Sequence, residues 1–363
     1  MTRAAQLPEI PLIDVSAEGV DSARALLAAA PARAEALLAS AARTYTRPLV
    51  RLCDALSRHW LVRHGNPHLA EIDEIAAALG APGAHFLNVS YEWGCTGGVT
   101  AAPGGGCRLV RVLDWPFDGL GANLVAARQS GPAGAWINLT WPGFIGCIQG
   151  LAPGRFAAAL NQAPMNRTTP LMPLDWAIDR GRLWRSGGLP PAHLLRRVFE
   201  TCPDYRAARK ALCGTPLALP AIFLLAGPGP GQGCLIERLE TRAKVFEQPA
   251  VAANHWLTPE WRGRPRGNDS LGRRRTLAAR LAGAGPELDW LAPPVLNPTT
   301  RLALVAEPAS GRLTARGFES YGSATATLRL GAPAESRRAT PESPAKTPGN
   351  APEKPLTGGA APL

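Results

Sequence analysis

Hydrophobic residues recur every three or four positions between about residues 20 and 80, a spacing that places them on one face of an α-helix. The sequence therefore predicts a helical block, with helices that include residues 49–61 and 72–79. Asp21, Ser22 and Pro31 are typical of helix starts. A turn at residues 80–83, which contains two Gly and one Pro, ends the block.

From about residue 86 to residue 249, short apolar runs alternate with Gly and Pro, a pattern that predicts strands, several of them buried on both faces. The runs are 107–113, 123–127, 135–139, 156–160 and 221–225. Helices are predicted at 194–212 and 276–283, and a hairpin over 301–318 that turns at 308–311. Residues 331–363 are rich in Pro, Ala, Glu and Lys and are predicted to be disordered, because they cannot bury enough apolar surface to offset the ordering entropy.

The 363 residues carry a formal net charge of +11, of which residues 95–330 hold +12. Such a basic region suits anionic lipid, acidic substrates or nucleic acid, or reflects a general richness in Arg. The sequence has no apolar stretch of the roughly 18 residues that a membrane span needs, and its first residues do not resemble a signal peptide. We therefore expect a cytoplasmic protein. Seven Cys without a CxxC pair argue against a disulfide framework or a zinc site.

Cys95 is the candidate nucleophile. It lies in a Gly-rich segment between the helical block and the strands, a poor place for a core thiol. Arg111 follows sixteen residues later in a strand-like run, and Asp114 three residues after it. An Arg beside a thiol favours the thiolate, and an Asp can hold a free amine through a hydrogen bond. The other Cys, at positions 53, 107, 147, 202, 213 and 234, are interpreted as core or incidental thiols.

The residues around Cys95 resemble the acid ceramidase and N-acylethanolamine acid amidase group of N-terminal-nucleophile hydrolases, within the choloylglycine-hydrolase-like superfamily. The resemblance rests on six motifs in order over residues 86–320. They are Cys-Thr with Arg-x-x-Asp-Trp at 95–115, Gly-x-x-Pro-Gly-x-Phe…Leu-Asn at 150–161, Pro-Ala-x-Phe…Gly-x-Gly-Cys-x-Ile-x-Arg at 220–238, Asn-His at 254–255, Arg-Arg-Thr at 274–276 and Val-Leu-Asn at 295–297.

The resemblance implies a four-layer αββα sandwich of the α+β class over residues 95–330, preceded by a helical segment over 1–94. It implies self-cleavage before Cys95, with the helical segment retained as a bound small subunit. The new α-amine would be the general base for its own thiol. Arg111 and Asp114 would frame the thiol and amine, and Asn254 would donate to the oxyanion. The implied reaction is hydrolysis of a linear amide in an N-acyl amine or N-acyl lipid, without a cofactor or metal.

The sequence departs from the family pattern near the nucleophile. The family's Glu after Leu-Asn is Gln162, which keeps hydrogen-bonding ability without the charge. Gly94 and the Gly97-Gly98 pair predict a looser strand than the family's Cys-Thr-Ser-Ile. The last site Arg is ambiguous: the Arg-Arg-Thr match favours Arg274, whereas the Asp-Ser-x-x-Arg pattern gives Arg273, which stays open.

Four other features of the sequence bear on function. His255 is the one His placed to form a Cys–His pair, but no motif supports it. Residues 227–233 are Gly-rich, yet their two Pro and the missing Lys-Ser/Thr favour a hairpin turn over a phosphate loop. The seven Arg between Arg262 and Arg280 are a solvated loop or a surface for an anionic substrate or lipid, and nucleic acid is disfavoured because aromatic residues are not interleaved. Residues 140–144 line an acyl pocket or are structural.

Two alternative functions remain open at this level. One is acyl transfer to an amine through the same Cys95 thioester. The other is a non-catalytic basic lipid-binding protein on the same scaffold.

Overall fold

The computed structural model describes residues 6–90 and 93–331. The tail predicted to be disordered lies, except for Gly331, outside the described residues. The described chain up to Gly331 belongs to one compact unit. The residues on both sides of the expected boundary between Gly94 and Cys95 therefore pack in the same unit. Cleavage there stays a prediction.

Five helices in the N-terminal part confirm the predicted helical block, with Pro31 in the first turn of the second helix. They are α1 (Ser22–Ala29), α2 (Pro31–Tyr45), α3 (Arg47–Arg63), α4 (Leu69–Leu79) and α5 (Ala84–Val89), after a 3₁₀ turn at Gly19–Asp21. Buried Leu61, Ile72 and Ile75 pack with Ile145 and Ala218, so the helices share a core with the later part of the chain. A short strand, β1 (Leu12–Asp14), precedes them and was not predicted.

An eight-stranded sheet, sheet A, has the order β1-β4-β5-β6-β7-β9-β10-β11. Its later strands are β4 (Val125–Gly131), β5 (Gly134–Thr140), β6 (Gln149–Ala152), β7 (Phe156–Gln162), β9 (Ala221–Ala226), β10 (Gly233–Arg238) and β11 (Ala243–Glu247). All its pairs are antiparallel except β1 with β4. Residues 227–233 connect β9 to β10, which confirms the predicted hairpin turn.

Sheet B has the order β12-β2-β3-β14-β15-β16, with β17 also paired to β15. Its strands are β2 (Gly94–Ala101), β3 (Cys107–Asp114), β12 (Ala250–Ala252), β14 (Thr300–Glu307), β15 (Arg312–Glu319), β16 (Gly322–Ser323) and β17 (Leu328–Leu330). β14 and β15 form the predicted C-terminal hairpin. Two further short strands, β8 (Met165–Asn166) and β13 (Gly263–Arg264), pair with each other.

The two sheets face each other through β2 and β3 on one side and β7 and β9 on the other. Helices α7 (Pro191–Thr201) and α8 (Tyr205–Gly214) cover the outer face of sheet A, and α9 (Ser270–Leu281) covers sheet B. This is the four-layer αββα sandwich of the α+β class, as predicted. A further helix, α6 (Met172–Arg185), was not predicted.

Two helix predictions need correction. Residues 194–212 form two helices rather than one, because Pro203 lacks the N–H that a continuous helix requires and Asp204 caps the start of α8 by accepting from the Ala207 N–H. The helix predicted at 276–283 is α9, which begins six residues earlier at Ser270. Among the described residues no single helix is long and apolar enough to cross a membrane, although α1 and α2, bent by 89°, meet those criteria as a pair.

Candidate active site

Cys95 lies on β2 and turns its side chain toward sheet A. It shares its face of β2 with Gly97, because side chains alternate along a strand, and a Cβ added at Gly97 would lie 2.4 Å from Leu224 Cδ1 of β9. All eight residues of β2 pair in register with β3, so the expectation of a loose strand was wrong. The glycines instead let neighbouring layers approach, since a Cβ at Gly98 would lie 3.0 Å from Leu281 of α9.

Arg111 pairs in register with Gly97 and enters the same space between the sheets. One of its terminal nitrogens (Nη2) donates to Cys95 Sγ at 3.0 Å and to the Leu160 carbonyl oxygen at 2.7 Å, and the other (Nη1) donates to Gln149 Oε1. Burial raises the pKa of the Cys95 thiol, and the Arg111 charge opposes only part of that rise. In the uncut chain Cys95 is therefore a thiol, and its proton must be removed before it can act as a nucleophile.

Asp114 ends β3 opposite Gly94, next to the bond before Cys95. Its Oδ1 accepts from the Thr300 hydroxyl at 2.8 Å, and its Oδ2 accepts from Arg273 Nη1 at 3.2 Å. Burial raises the pKa of the Asp114 carboxyl, while Arg273 and the hydrogen bonds lower it. Asp114 thus lies opposite Gly94 and is connected to Cys95 through Arg273, and its role toward a free Cys95 amine stays a prediction.

Asn254 follows β12 and binds the backbone at the nucleophile. Its Oδ1 accepts from the Cys95 N–H at 2.7 Å and from Arg273 Nη2 at 3.0 Å. Its Nδ2 donates to the Gln162 carbonyl oxygen at 2.8 Å. Asn254 is fully buried and joins β2 to the end of β7.

Arg273, and not Arg274, is the arginine that α9 brings to the site. Its Nη1 donates to the Cys95 carbonyl oxygen at 2.7 Å and to Thr96 Oγ1 at 2.8 Å, in addition to Asp114. The Nε of Arg274 donates to the Val251 carbonyl oxygen at 3.1 Å. One residue along an α-helix turns the side chain by about 100°, so only one of the two can face β2. The preference for Arg274 as the site residue is corrected to Arg273 on this geometry.

Gln162 contributes its backbone to the site. Its N–H faces the Cys95 thiol and its carbonyl oxygen accepts from Asn254. Its side chain lies on the other face of β7, which it shares with Ala158. Ala158 pairs with Gly150, where an added Cβ would lie 3.1 Å from Phe199 of α7. The backbone contacts at Cys95 therefore do not depend on whether position 162 is Gln or Glu.

Asn161 is a candidate site residue that the sequence analysis did not single out. It shares a face of β7 with Ala159, which pairs with Leu224, and this face is turned toward the sheet that carries Cys95. Its side chain is fully buried, and neither amide atom has a hydrogen-bond partner among the described residues. The signal in the sequence was the Leu-Asn pair ending an otherwise apolar strand.

An open cleft of about 740 Å³ leads to the bond before Cys95. Gly94 and Asp114 lie at its base, and Trp93, Met165 and Trp176 are among its apolar walls. Cys95 itself is fully buried beneath it. A pocket that is mostly apolar with a few polar groups at one end is typical of small-molecule sites.

The remaining predicted features lie apart from the thiol. His255 Nδ1 is 2.7 Å from Ser270 Oγ, so within the described part of the chain this imidazole is engaged by Ser270 and not by Cys95. The basic stretch from Arg262 to Arg280 does not form one surface, because Arg264 binds buried Asp175 while Arg273 and Arg274 bind inside the fold. Trp141 and Phe144 line a separate apolar cavity with residues of α2, α4 and α5.

The fold is the four-layer αββα sandwich of N-terminal-nucleophile hydrolases, and the candidate nucleophile faces the opposite sheet. No family model matches the chain. Acid ceramidase from Heterocephalus glaber is 30% identical over 99 residues, which are 27% of this chain and 24% of that protein. Probable acid ceramidase from Caenorhabditis elegans is 25% identical over 219 residues, 53% of this chain and 52% of that protein. The chain is a homologue of these acid ceramidases, as the motifs indicated.

The chain spans about a quarter of the length of the Heterocephalus glaber and Homo sapiens acid ceramidases and about half of the nematode one. Among solved structures, a Caenorhabditis elegans N-acylethanolamine-hydrolyzing acid amidase ortholog has a TM-score of 0.47 and 20% identity, covering 59% of this chain and 93% of that chain. Penicillin V acylase from Agrobacterium tumefaciens has a TM-score of 0.38 and 11% identity, covering 65% of this chain and 86% of that chain.

Proposed function

We propose that the protein is a cysteine N-terminal-nucleophile amidohydrolase that cuts its own Gly94–Cys95 bond and then hydrolyses a linear amide. The observation that carries the proposal is the set of side chains around one residue: Arg111 binds the Cys95 thiol, Asn254 binds its N–H, and Arg273 binds its carbonyl oxygen. Such a cluster is more than a buried core thiol needs. The kinship with acid ceramidases supports the same reading.

The first step is attack of the Cys95 sulfur on the Gly94 carbonyl carbon. The C–S bond forms, the C–N bond breaks as the thiol proton passes to the Cys95 nitrogen, and water hydrolyses the resulting thioester, which releases a Gly94 carboxylate and a free Cys95 α-amine. Gly94 is tightly enclosed, since a Cβ there would lie 3.3 Å from Asp114 Cβ and 3.6 Å from Gly267 Cα. The absent side chain thus keeps the carbonyl carbon accessible to the sulfur next to it.

The free amine then serves as the base. A reference pKa of about 7.7–8.0 lets an α-amine accept the thiol proton near neutral pH. Asn254 Oδ1, which holds this nitrogen in the uncut chain, keeps it in place, with Asp114 beyond. Arg111 stabilises the thiolate, since an adjacent cation lowers the pKa of a thiol.

Hydrolysis of the substrate follows the same chemistry. Sulfur attacks the amide carbon, and the oxyanion that forms is bound by two donors at the end of β7: the Gln162 N–H and the Asn254 Nδ2. One such donor contributes roughly 2.7–4 kcal/mol to the transition state. The amine leaves with a proton from the α-ammonium group, and water hydrolyses the Cys95 thioester.

The substrate we propose is an N-acyl amine or N-acyl lipid. Trp93, Met165 and Trp176 in the cleft offer apolar surface for an acyl chain, close to the Gly94–Cys95 bond. The named relatives are ceramidases, whose substrates are lipids of that chemical class.

Intact-mass analysis of the full chain and of Cys95→Ala tests the proposal. We expect fragments ending at Gly94 and starting at Cys95 from the parent, and one uncut chain from the variant. Only the parent should release a fatty acid from an N-acyl amine. A parent that stays uncut and hydrolyses such amides would exclude the α-amine mechanism. Adding a primary amine to the assay separates hydrolysis from acyl transfer, because a transferase would form a new amide.

A further inference from the structure

The first turn of α9 binds both the backbone and the side chain of Asn254. Ser270 Oγ accepts from the Asn254 backbone N–H at 2.9 Å, and Arg273 Nη2 donates to the Asn254 side-chain oxygen at 3.0 Å. Residues three apart on a helix lie on the same face, so one helix fixes both the backbone and the side chain of this residue. Both Ser270 and Asn254 are buried.

His255 determines how the Ser270 hydroxyl is used. Its Nδ1 lies 2.7 Å from Ser270 Oγ. Because Oγ already accepts from the Asn254 N–H, its own hydrogen is free to be donated to Nδ1 when that nitrogen carries no proton. The three groups then form a chain in which each hydrogen bond has one donor and one acceptor.

We infer that Ser270 is a positioning residue for Asn254, and that the neutral His255 imidazole orients the Ser270 hydroxyl for this role. The inference rests on the proposed function, because it concerns how Asn254 is held beside Cys95. Neither residue touches the reacting atoms. Both act through the placement of Asn254 Nδ2 and Oδ1.

The surroundings of His255 keep it neutral. Burial lowers the pKa of the His255 imidazole to about 4, and the positive charges of Arg274 and Arg273 act in the same direction. The carboxylate of Glu237 on β10 accepts from the Leu257 and Thr258 N–H groups, just after His255 in the chain. A protonated His255 would direct Nδ1–H at Ser270 Oγ and leave the buried hydroxyl hydrogen without an acceptor.

A misplacement of Asn254 affects the transition state more than ground-state binding. Its Nδ2 is a proposed oxyanion donor, and a shift of about 1 Å in a positioned group can lower the rate about 100-fold. Loss of the hydroxyl should therefore lower kcat, while KM for the N-acyl amine stays within about two-fold, since an interaction made only in the transition state affects kcat and not binding.

The test uses the full chain with an N-acyl amine substrate. We expect Ser270→Ala to lower kcat by about ten-fold or more and Ser270→Thr, which keeps the hydroxyl, to recover most of the rate. His255→Asn should retain kcat because its side-chain oxygen replaces Nδ1 as acceptor, whereas His255→Leu should lose it. Asp269→Gly is the matched control: it removes the side-chain cap of α9, tolerates the local φ of 40° and leaves Ser270 Oγ in place.

The outcomes separate cleanly. An active parent whose Ser270→Ala variant keeps the parental kcat overturns this inference alone. A loss of rate in Asp269→Gly equal to that in Ser270→Ala also overturns it, because helix stability would then explain both. A parent that hydrolyses no N-acyl amide overturns the proposed function and this inference with it.

Discussion

Arg273 donates a hydrogen bond to the carbonyl oxygen of Cys95 across 2.7 Å, although the two residues are 178 positions apart in the chain. The same guanidinium binds Asp114 and Asn254. Helix α9 is thereby connected to the nucleophile strand, the carboxylate beside it and the amide that holds its nitrogen. Three groups of the site therefore depend on one buried side chain.

Replacing Arg273 should therefore disable both cleavage and folding. We expect Arg273→Ala to lower the free energy of unfolding by about 3–5 kcal/mol, because Asp114 is left buried without its charge partner. Arg274→Ala removes one hydrogen bond to Val251 and should cost only about 0.5–1.5 kcal/mol. Chemical denaturation and intact mass measure both effects. Loss of cleavage in Arg274→Ala but not in Arg273→Ala would contradict the assignment.

The close approach of the two sheets at Gly97 predicts a steric effect. An added Cβ would lie 2.4 Å from Leu224 Cδ1 and 3.0 Å from the Val110 carbonyl oxygen. We expect Gly97→Ala to lower the free energy of unfolding by about 1–3 kcal/mol. Gly104→Ala, where the new Cβ meets nothing within 4 Å, is the control and should change it by less than about 0.5 kcal/mol.

A double variant sharpens this test. Combining Gly97→Ala with Leu224→Ala removes the atom that the new methyl group would strike. The double variant should then be more stable than the sum of the two single effects predicts, by about 0.5 kcal/mol or more. Strict additivity would mean that the two sheets do not meet at this point.

The unpartnered amide of Asn161 predicts opposite changes in stability and activity. Asn161→Leu replaces a buried amide that costs about 1–3 kcal/mol by an apolar group of similar size, so the melting temperature should rise. The rate of amide hydrolysis should fall, because a polar group left unsatisfied beside the nucleophile is available to a substrate.

Asn138 is the control for Asn161. It is equally buried in sheet A, and its Oδ1 also has no hydrogen-bond partner among the described residues, but its Nδ2 donates to Gln129 Oε1 and to the Gly146 carbonyl oxygen. Asn138→Leu should therefore lower the melting temperature. An Asn161→Leu variant that melts below the parent would show that this amide is structural.

His255 predicts a pH dependence of stability. Its pKa of about 4 in the folded chain lies below the ordinary value of about 6.5, so the unfolded chain binds a proton that the folded chain does not. The His255 contribution is fully present above pH 6.5 and is lost as the pH falls toward 4. Denaturation of parent and His255→Asn between pH 7 and pH 4 should show a steeper loss in the parent. Parallel curves would contradict it.

The sequence predicted those parts of the fold whose pattern is local. Periodic Leu and Ala marked α3 and α4, and the apolar runs marked β3, β5, β7 and β9. It missed α6, because its Met-Pro-Leu start and scattered Arg give no clear apolar face, and β1, which is a strand only because β4 lies beside it. Neither α6 nor β1 has a local sequence pattern that would predict it.

The site shows the same division. Motif order found Cys95, Arg111, Asp114 and Asn254, and the structure brings these four together. It left Arg273 and Arg274 unresolved, because the choice depends on the rotation of α9 about its axis against β2. Asn161 was missed because only the pairing of β7 with β9 shows that its side chain lies on the face of sheet A turned toward sheet B.

The strand β1 anchors the N-terminal segment to sheet A. It lies parallel to β4 at the edge of sheet A, and just before it the Pro8 carbonyl oxygen accepts from the Ala326 N–H near sheet B. A cut before Cys95 would change the connectivity of the backbone and leave these hydrogen bonds intact. The two fragments would remain associated through these contacts and would elute together until a denaturant unfolds both sheets. The chain break would be invisible to any measurement of size or shape under native conditions.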